Sequence, residues 1–359
     1  MKIVVAILAV TTFNSVAIAA PESLAITGVI ASNQHFDPTR GETVRLQFSV
    51  SQPASIEVLW IDAANQIVSS QSVTSSAAGP SEVSWDGRSS RGGFVPPEAY
   101  RYVIRAKSSD QQMVVYDLID SAPSGLLPVS EITWIPEDQV IRYQVGKLSR
   151  VRLRAGLADG GPLLVTVANW AVRSPGENRE PWNGRDASGF FNLGADGRRE
   201  ITAVAYELPP NTVVIGKPGP VVTATKDRAF PAWQSTSDQT KKMYDFASMP
   251  AQTLTDYAAI VRINGKELDS RAPLMTVRGT VPVEIDVPAK DRTLLVSRRI
   301  EPVLFVDGQF IFENELGFIP MTWMWDTSRY APGEHVISVN LRGYEGNFGI
   351  ATVKLKVER

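Results

Sequence analysis

The chain has no cysteine and only two histidines, His35 and His335. The missing cysteines exclude disulfide bonds, thiol catalysis and metal sites held by thiolates. They also exclude a lipid anchor on an N-terminal cysteine. Two histidines are too few for multihaem ligation, and we find no Gly-x-Ser-x-Gly elbow, His-Glu-x-x-His pair or phosphate loop. The sequence therefore predicts a protein that is not an enzyme and that binds no cofactor.

An excess of charge of one sign and long apolar runs are also missing. Lys and Arg number 36 and Asp and Glu number 38, so the net charge is -2. This balance gives no electrostatic basis for binding nucleic acid or an anionic membrane. A short apolar run at 3–10 follows Lys2 and precedes Ala17-Ile18-Ala19, which fits the rule for signal cleavage. We expect a signal peptide at 1–19, export to the periplasm or the extracellular space, and no membrane span after its removal.

A short phrase of Trp, Asp or Asn, and Gly occurs twice in full and once in reduced form. A large ring at the end of a strand anchors a core, and Asp or Asn before Gly is typical of a tight turn. We therefore interpret the phrase as structural. A cation bound by Asp86, or by Asn183 with Asp186, is the alternative. The residues are Trp85, Asp86 and Gly87, then Trp182, Asn183 and Gly184, and finally Trp325 and Asp326.

Alternation of apolar and polar residues predicts an all-β fold. The stretch 44–50 alternates strictly, and many short strands with turn signals between them are typical of an immunoglobulin-like sandwich. The same order of strands recurs after a boundary near 120–128 that is rich in Pro and Gly. We predict tandem immunoglobulin-like β-sandwich domains with a Pro-rich connector. The predicted bounds are 20–120 and 121–215 for the first two domains, 216–259 for a connector with a short helix, and 260–359 for the C-terminal domain.

Two parts of the chain resemble known domain families. The layout Phe-Asp-Pro, Thr-Val-Arg-Leu-Gln-Phe-Ser-Val, Trp-Asp-Gly-Arg and Tyr-Arg-Tyr-Val-Ile-Arg-Ala resembles the Ig-like repeat first associated with the flagellar hook-capping protein. This resemblance covers 24–107 and, more loosely, 130–207. The order Val-Asp-Gly, Trp-Asp-Thr, Gly-Glu-His and Gly-Asn-x-Gly within 260–359 is similar to bacterial Ig-like accessory domains of secreted enzymes and surface proteins. Both resemblances imply a fold and leave the function open.

One loop offers candidate ligands for calcium. Asp186, Asn192 and Asp196 are spaced by glycines, and oxygen ligands in a Gly-rich loop suit calcium. Their spacing matches no EF-hand, and turn residues explain the same letters. The calcium site therefore stays an open alternative to a structural loop.

Three tryptophans outside the phrase are candidate interaction residues: Trp170, Trp233 and Trp323. Exposed, they would stack on sugar rings or anchor a protein partner; buried, they would belong to the cores. The preferred hypothesis is a non-catalytic exported protein that scaffolds or joins a larger envelope or extracellular complex through protein partners. A glycan-binding accessory protein using exposed tryptophans is the alternative. A hydrolase with two carboxylates about 5–10 Å apart is a third hypothesis.

Overall fold

The computed structural model describes residues 23–119, 126–216, 256–296, 300–315, 317–343 and 346–359. The predicted signal peptide, Trp233 and nearly all of the predicted connector with its helix lie outside these ranges. Within them the chain forms three β-sandwiches, each around a hydrophobic core of its own. The prediction of an all-β fold of tandem immunoglobulin-like sandwiches is confirmed.

The first unit is built from eight strands of its own sequence. They are β1 (Ile26–Ala31), β2 (His35–Phe36), β3 (Val44–Val50), β4 (Ala54–Ile61), β5 (Ile67–Ser75), β6 (Gly79–Trp85), β7 (Ala99–Ser108) and β8 (Met113–Tyr116). One sheet has the order β1-β3-β6. The other contains β7-β4-β5, with β8 beside β7. The two sheets pack face to face, as expected for a sandwich.

Period-two alternation places the core of this unit between the two sheets. The inward side chains of β3 are buried and alternate with side chains that contact solvent. At the centre, the rings of Trp60 and Trp85 stack with centroids 4.3 Å apart. Tyr100 and Phe36 meet the Trp85 ring edge-on at 5.4 and 5.8 Å. This aromatic cluster is the interior that the first tryptophan phrase was predicted to anchor.

The second unit repeats the arrangement with seven strands. They are β9 (Leu126–Leu127), β10 (Ser130–Ile135), β11 (Val140–Val145), β12 (Ser149–Leu157), β13 (Leu163–Arg173), β14 (Gly176–Pro181) and β15 (Arg199–Glu207). Its sheets have the orders β10-β11-β14 and β13-β12-β15-β9. Trp182 directly follows β14, just as Trp85 ends β6 in the first unit. The internal repeat is therefore visible in the topology.

The next strand, β16 (Thr212–Ile215), returns to the first unit. It pairs antiparallel with β7 and parallel with β2, so it completes the larger sheet of that unit. The predicted boundary assigned 212–215 to the second unit, and here the structure differs. A Pro-Pro step at 209–210 ends β15 and lets the chain turn back. Asn211 then donates from Nδ2 to the Tyr102 carbonyl at 2.7 Å, which fixes the start of the strand.

In its described residues, the third unit contains ten strands and one helix. They are β17 (Tyr257–Ala258), β18 (Ile260–Ile263), β19 (Lys266–Glu267), β20 (Met275–Val277), β21 (Thr280–Asp286), α1 (Ala289–Val296), β22 (Ile300–Val306), β23 (Gln309–Glu313), β24 (Met321–Asp326), β25 (Gly333–Gly343) and β26 (Phe348–Val357). The sheets have the orders β19-β18-β21-β24 and β17-β26-β25-β22-β23, with β20 beside β26. Our sequence reading did not predict α1. In the ranges described, no helix is long and apolar enough to cross a membrane.

Candidate interaction site

The two full tryptophan phrases form the same set of hydrogen bonds. The indole N–H donates to a carbonyl three residues on at 2.8 Å, from Trp85 to Arg88 and from Trp182 to Arg185. In both copies the residue after the tryptophan accepts the N–H of that arginine at 3.0 Å. The glycine that follows has a φ of 78° or 77°, which only glycine adopts easily. The carboxylate or amide that was an alternative cation ligand is thus engaged by its own turn.

The reduced phrase in the third unit caps a short helical turn. Trp325 is fully buried in the core. Asp326 Oδ1 accepts the Ser328 N–H at 3.1 Å and so caps the 3-10 turn Thr327–Arg329. The hydrogen bonds from Ser328 lower the pKa of Asp326. As in the two full phrases, the tryptophan therefore belongs to the core and the residue after it stabilises a turn.

The calcium candidates lie in the loop after Trp182, and the carboxylates of Asp186 and Asp196 have other partners. Asp186 is buried and accepts two backbone N–H groups, one of them from Phe191 at 2.6 Å. Burial raises the pKa of Asp186. Asp196 pairs with Arg198 at 3.2 Å, and Asn192 is exposed. Across the described residues, no group of three or more His, Asp or Glu side chains has metal-binding geometry.

The candidate interaction tryptophans occupy different environments. Trp170 is 6% exposed and lies between the guanidinium of Arg152, 4.6 Å from its ring, and the ring of Tyr206, at 4.8 Å. Trp323 is half-buried beside the third core, with its ring 6.3 Å from that of Trp325. Stacking on a sugar needs an open ring face. Trp170 offers none.

Both histidines have structural partners. His335 Nδ1 lies 2.6 Å from Asp307 Oδ2, and Nε2 lies 2.7 Å from the Ala331 carbonyl. Burial lowers the pKa of His335, but the two hydrogen bonds outweigh it, so the net pKa is raised. His35 Nε2 lies 3.3 Å from the Ser174 hydroxyl, and burial lowers the pKa of His35. The two acceptors around the His335 ring favour its imidazolium form.

Buried carboxylates in the described ranges are also committed to structural bonds. Glu180 accepts two hydrogen bonds from Arg173, at 2.5 and 2.7 Å. Asp286 accepts from Arg292 at 2.6 Å and from its neighbouring backbone N–H at 2.8 Å. The third buried carboxylate is Asp186 of the loop described above. Each carboxylate therefore has a role in holding the fold.

A polar network centred on Asp256 joins the second and third units. Its Oδ1 accepts from Arg154 at 2.6 Å and from the Phe348 N–H at 2.9 Å, and its Oδ2 accepts from the Thr166 hydroxyl at 2.7 Å. The Arg154 side chain is only 7% exposed, so water screens this ion pair weakly. The guanidinium also lies 4.6 Å from the centroid of the Phe348 ring. One carboxylate thus bonds to both units.

A second arginine adds to this network. Arg152 donates to the Gly346 carbonyl at 2.6 Å, and Arg154 donates to the same carbonyl at 3.1 Å. Burial and the neighbouring charge of Arg154 lower the pKa of Arg152 to about 10. Gly346 has a φ of 82°, and a Cβ there would lie 3.1 Å from the Arg152 guanidinium. The positive φ favours glycine at this position, and a larger residue would also displace the Arg152 guanidinium.

The edge of β13 is covered by a side chain of the third unit. Asn340 Nδ2 donates to the Leu163 carbonyl at 2.7 Å, and the Leu163 N–H donates to Asn340 Oδ1 at 2.8 Å. The carboxamide thus bonds to the edge as one peptide group of a neighbouring strand would. Nearby, the Thr352 N–H donates to the Ser188 hydroxyl at 3.0 Å. The third unit therefore occupies an edge that would otherwise be open for pairing.

The first and second units meet at a smaller junction. Arg150 donates to Glu98 and to the Trp170 carbonyl, each at 3.1 Å. A cluster of buried apolar residues from both units lies in the same junction: Ala99, Leu148, Val172, Leu208 and Val214. Together with the returning strand β16, these contacts tie the first unit to the second.

Sequence reasoning missed these junctions, although a signal was present. Arg150, Arg152 and Arg154 alternate along β12 and would face solvent if the second unit stood alone. Instead their outer face packs against the other units. Three arginines at period two, opposite an apolar face, are as typical of a sheet face packed against protein as of one exposed to solvent. The reason is that the guanidinium suits partly buried ion pairs. Asp256 falls within the predicted connector at 216–259, and the sequence gives no signal of its role in the network.

A comparison with protein families identifies the type of the first unit. A family model described as the FlgD Ig-like domain matches residues 32–110. The first unit is similar to the FlgD Ig-like domain. The predicted resemblance to the hook-capping repeat is thereby confirmed for this unit. The match covers well under half of the chain, and no curated protein matches the chain.

Solved structures of similar fold include three with different contexts. FlgD from P. aeruginosa is 20% identical, with 26% of this chain and 70% of that chain covered and a TM-score of 0.21. The endo-beta-1,4-mannanase from Thermotoga petrophila is 20% identical, with 33% and 22% covered and a TM-score of 0.22. A tetra-tandem repeat from the extending region of a large adhesion protein is 15% identical, with 93% and 74% covered and a TM-score of 0.22. At these identities and TM-scores, the likeness says nothing about activity or partner.

Proposed function

We propose that this chain is an exported, non-catalytic structural protein whose three sandwiches form one rigid scaffold within a larger cell-envelope or extracellular complex. The observation that carries the proposal is that each pair of neighbouring units is held together by specific bonds. The first unit takes a strand from the chain that follows the second unit, and the second and third units share the Asp256 network. A protein that only tethered its domains would need no such bonds.

The chemistry of the junctions supports rigidity. Uncoupling the second and third units would break the weakly screened Arg154–Asp256 pair and, at the same time, the bonds from Arg152 and Arg154 to the Gly346 carbonyl. Uncoupling the first two would remove β16 from its sheet along with two core side chains, Val213 and Ile215. These costs favour a single relative orientation of the units. A fixed spacing between two binding surfaces is what a scaffold requires.

Affinity purification of the full chain, with a tag after Arg359 and from its native host, tests this function. We expect one or two exported proteins at stoichiometric amounts. A variant with Asp256→Ala is the matched control, because it keeps all exposed surfaces and loosens one junction. If the unmodified chain is recovered alone at the expression level of the host, the scaffold function is wrong and glycan binding becomes the next activity to test.

A further inference from the structure

The second unit shows how one of these sandwiches binds another. Its contact surface combines three elements: the Leu163 peptide groups at the start of β13, the loop after the tryptophan phrase, and an aromatic side chain of that loop. Leu163 bonds to Asn340, Ser188 bonds to Thr352, and Phe190 packs against the core of the third unit.

The backbone of the first unit forms the same hydrogen bonds at the equivalent surface. The Val68 carbonyl accepts the Ser90 N–H at 2.9 Å, as the Leu164 carbonyl accepts the Ala187 N–H at 3.0 Å. One residue earlier, Ile67 pairs with Ile61 across a register shift, as Leu163 pairs with Gly156. The position of Leu163 in the second unit is therefore taken by Ile67 in the first.

On the first unit this surface faces solvent, although the Arg88 guanidinium lies 4.1 Å from the centroid of the Phe94 ring. Ile67 is 54% exposed and Phe94 is 47% exposed, two of the few large apolar side chains in the described ranges that face solvent to this extent. They lie on adjacent elements, because Ser90 bonds to Val68 and Ser89 bonds to Gly93. Large exposed apolar side chains on an edge strand are typical of an interaction surface.

The charge on this surface narrows the chemistry of the partner. Arg91 occupies the position of Ser188, is exposed, and forms no ion pair within the described residues. An exposed cation beside an apolar contact favours a partner with a carboxylate at the matching position. A second copy of the chain has its own equivalent face, around Asn340 and Thr352, buried against its second unit.

We propose that the surface formed by Ile67, Arg91 and Phe94 binds the sheet face of a β-sandwich domain in another protein. The partner face bears a carboxamide that bonds to the Ile67 peptide groups and a carboxylate that pairs with Arg91. The proposal rests on the scaffold function and names the surface through which the scaffold holds one partner. It assigns to the first unit the mode of contact that the second unit uses for the third.

Position-specific photocrosslinking in the native host tests this inference. The full chain carries p-benzoylphenylalanine at position 67 or 94, and at position 113 as the control. Met113 is 65% exposed and lies in β8, on the opposite side of β4 and β7 from β5, so it is more accessible but outside the proposed surface. We expect an adduct from positions 67 and 94 only, with the crosslinked partner peptide in a strand of a β-sandwich domain. Arg91→Glu should reduce the adduct from position 94 by about fivefold or more, since it places a like charge opposite the carboxylate of the partner.

Several results overturn the proposal. They are adduct levels at 67 and 94 no higher than at 113, an adduct within the same chain or with a second copy, and an adduct with a protein region that is not a β-sandwich. The two proposals fail separately. A partner that co-purifies with the tagged chain but does not crosslink at position 67 leaves the scaffold function standing and removes this surface. A chain that purifies alone removes both.

Discussion

Tyr143, Arg173 and Glu180 form a buried triad that bonds the two sheets of the second unit together. Arg173 on β13 donates twice to Glu180 on β14, and the Tyr143 hydroxyl on β11 donates to Glu180 Oε1 at 2.6 Å. All three residues are at most 3% exposed. Burial and the adjacent Glu180 raise the pKa of Tyr143, so its hydroxyl keeps the proton that it donates. The triad is a complete polar network in an otherwise apolar sandwich.

We predict that Glu180→Gln destabilises the second unit strongly. The substitution leaves Arg173 charged and buried without its carboxylate, and breaking a buried pair in this way costs about 3–5 kcal/mol. Because about 1.4 kcal/mol corresponds to a factor of ten, the amides of β11 and β14 should exchange with solvent roughly 150 to several thousand times faster. Hydrogen exchange measured by mass spectrometry on the full chain resolves these strands from the other units. Tyr143→Phe, which removes one bond to a charged group, should cost about 1.5–3 kcal/mol.

The first unit shows how to replace the triad. In the ladder between β3 and β6, Val83 lies opposite Leu46, where Glu180 lies opposite Ile141 in the second unit. The triple variant with Glu180→Val, Tyr143→Phe and Arg173→Met should therefore recover most of the loss, since apolar replacement of a buried ion pair is often neutral or stabilising.

Two results would refute this reasoning about the triad. One is unchanged exchange in Glu180→Gln, and the other is a triple variant as unstable as that single variant. Glu177→Gln on the same strand is the matched control. Its partner Arg179 is exposed, so we expect a change within about 0.5 kcal/mol.

Three further predictions concern the junctions and the third unit. Asp256→Asn should uncouple the second and third units and increase the radius of gyration in solution scattering, because Arg154 loses its charged partner; an unchanged profile would contradict the rigid junction. The pKa of His335 is raised in the folded protein. The histidine therefore stabilises the fold at pH values below its ordinary pKa of 6.5, and this contribution is lost as the pH rises through the folded pKa. The urea midpoint should thus fall with rising pH in the unmodified chain and fall less in Asp307→Asn. Equal slopes in the two proteins would show that the pair is not responsible. Asn211→Ala should cost about 1–3 kcal/mol and speed amide exchange in β16 above all, and exchange that rises elsewhere instead would locate the loss outside the returning strand.

Local patterns predicted the sandwiches well because their cause is local. Each inward residue of β3 is two positions from the next, so alternation alone places Leu46 and Phe48 in a core. The tryptophan phrases were equally readable, because the bonds from Trp85 and Trp182 reach only three residues along the chain. Side chains that act within one turn or one strand leave their signal in the sequence itself.

The junctions were not predictable in the same way, because their partners are distant in sequence. Strand β16 pairs with β7, more than a hundred residues earlier in the chain. The amino-acid sequence of 212–215 does not show whether this strand joins a sheet of the first unit or one of the second. Asp256 bonds to Arg154 across a comparable separation. Turn signals could mark where the chain breaks, as at 209–210, but they could not show where it goes next.

Comparison of equivalent positions in the first two units shows where specificity lies. Leu59 and Arg154 occupy matching sites in their ladders, opposite Ser70 and Thr166. Leu59 is buried in a small apolar cluster of its own unit, whereas Arg154 reaches Asp256 and binds the third unit. Apart from the triad of Tyr143, Arg173 and Glu180, the inward residues of both units are mostly apolar and give the same fold. The outward residues differ, and they decide what each sandwich contacts. The partner proposed for the first unit is therefore to be sought in the chemistry of residues such as Ile67 and not in the fold that carries it.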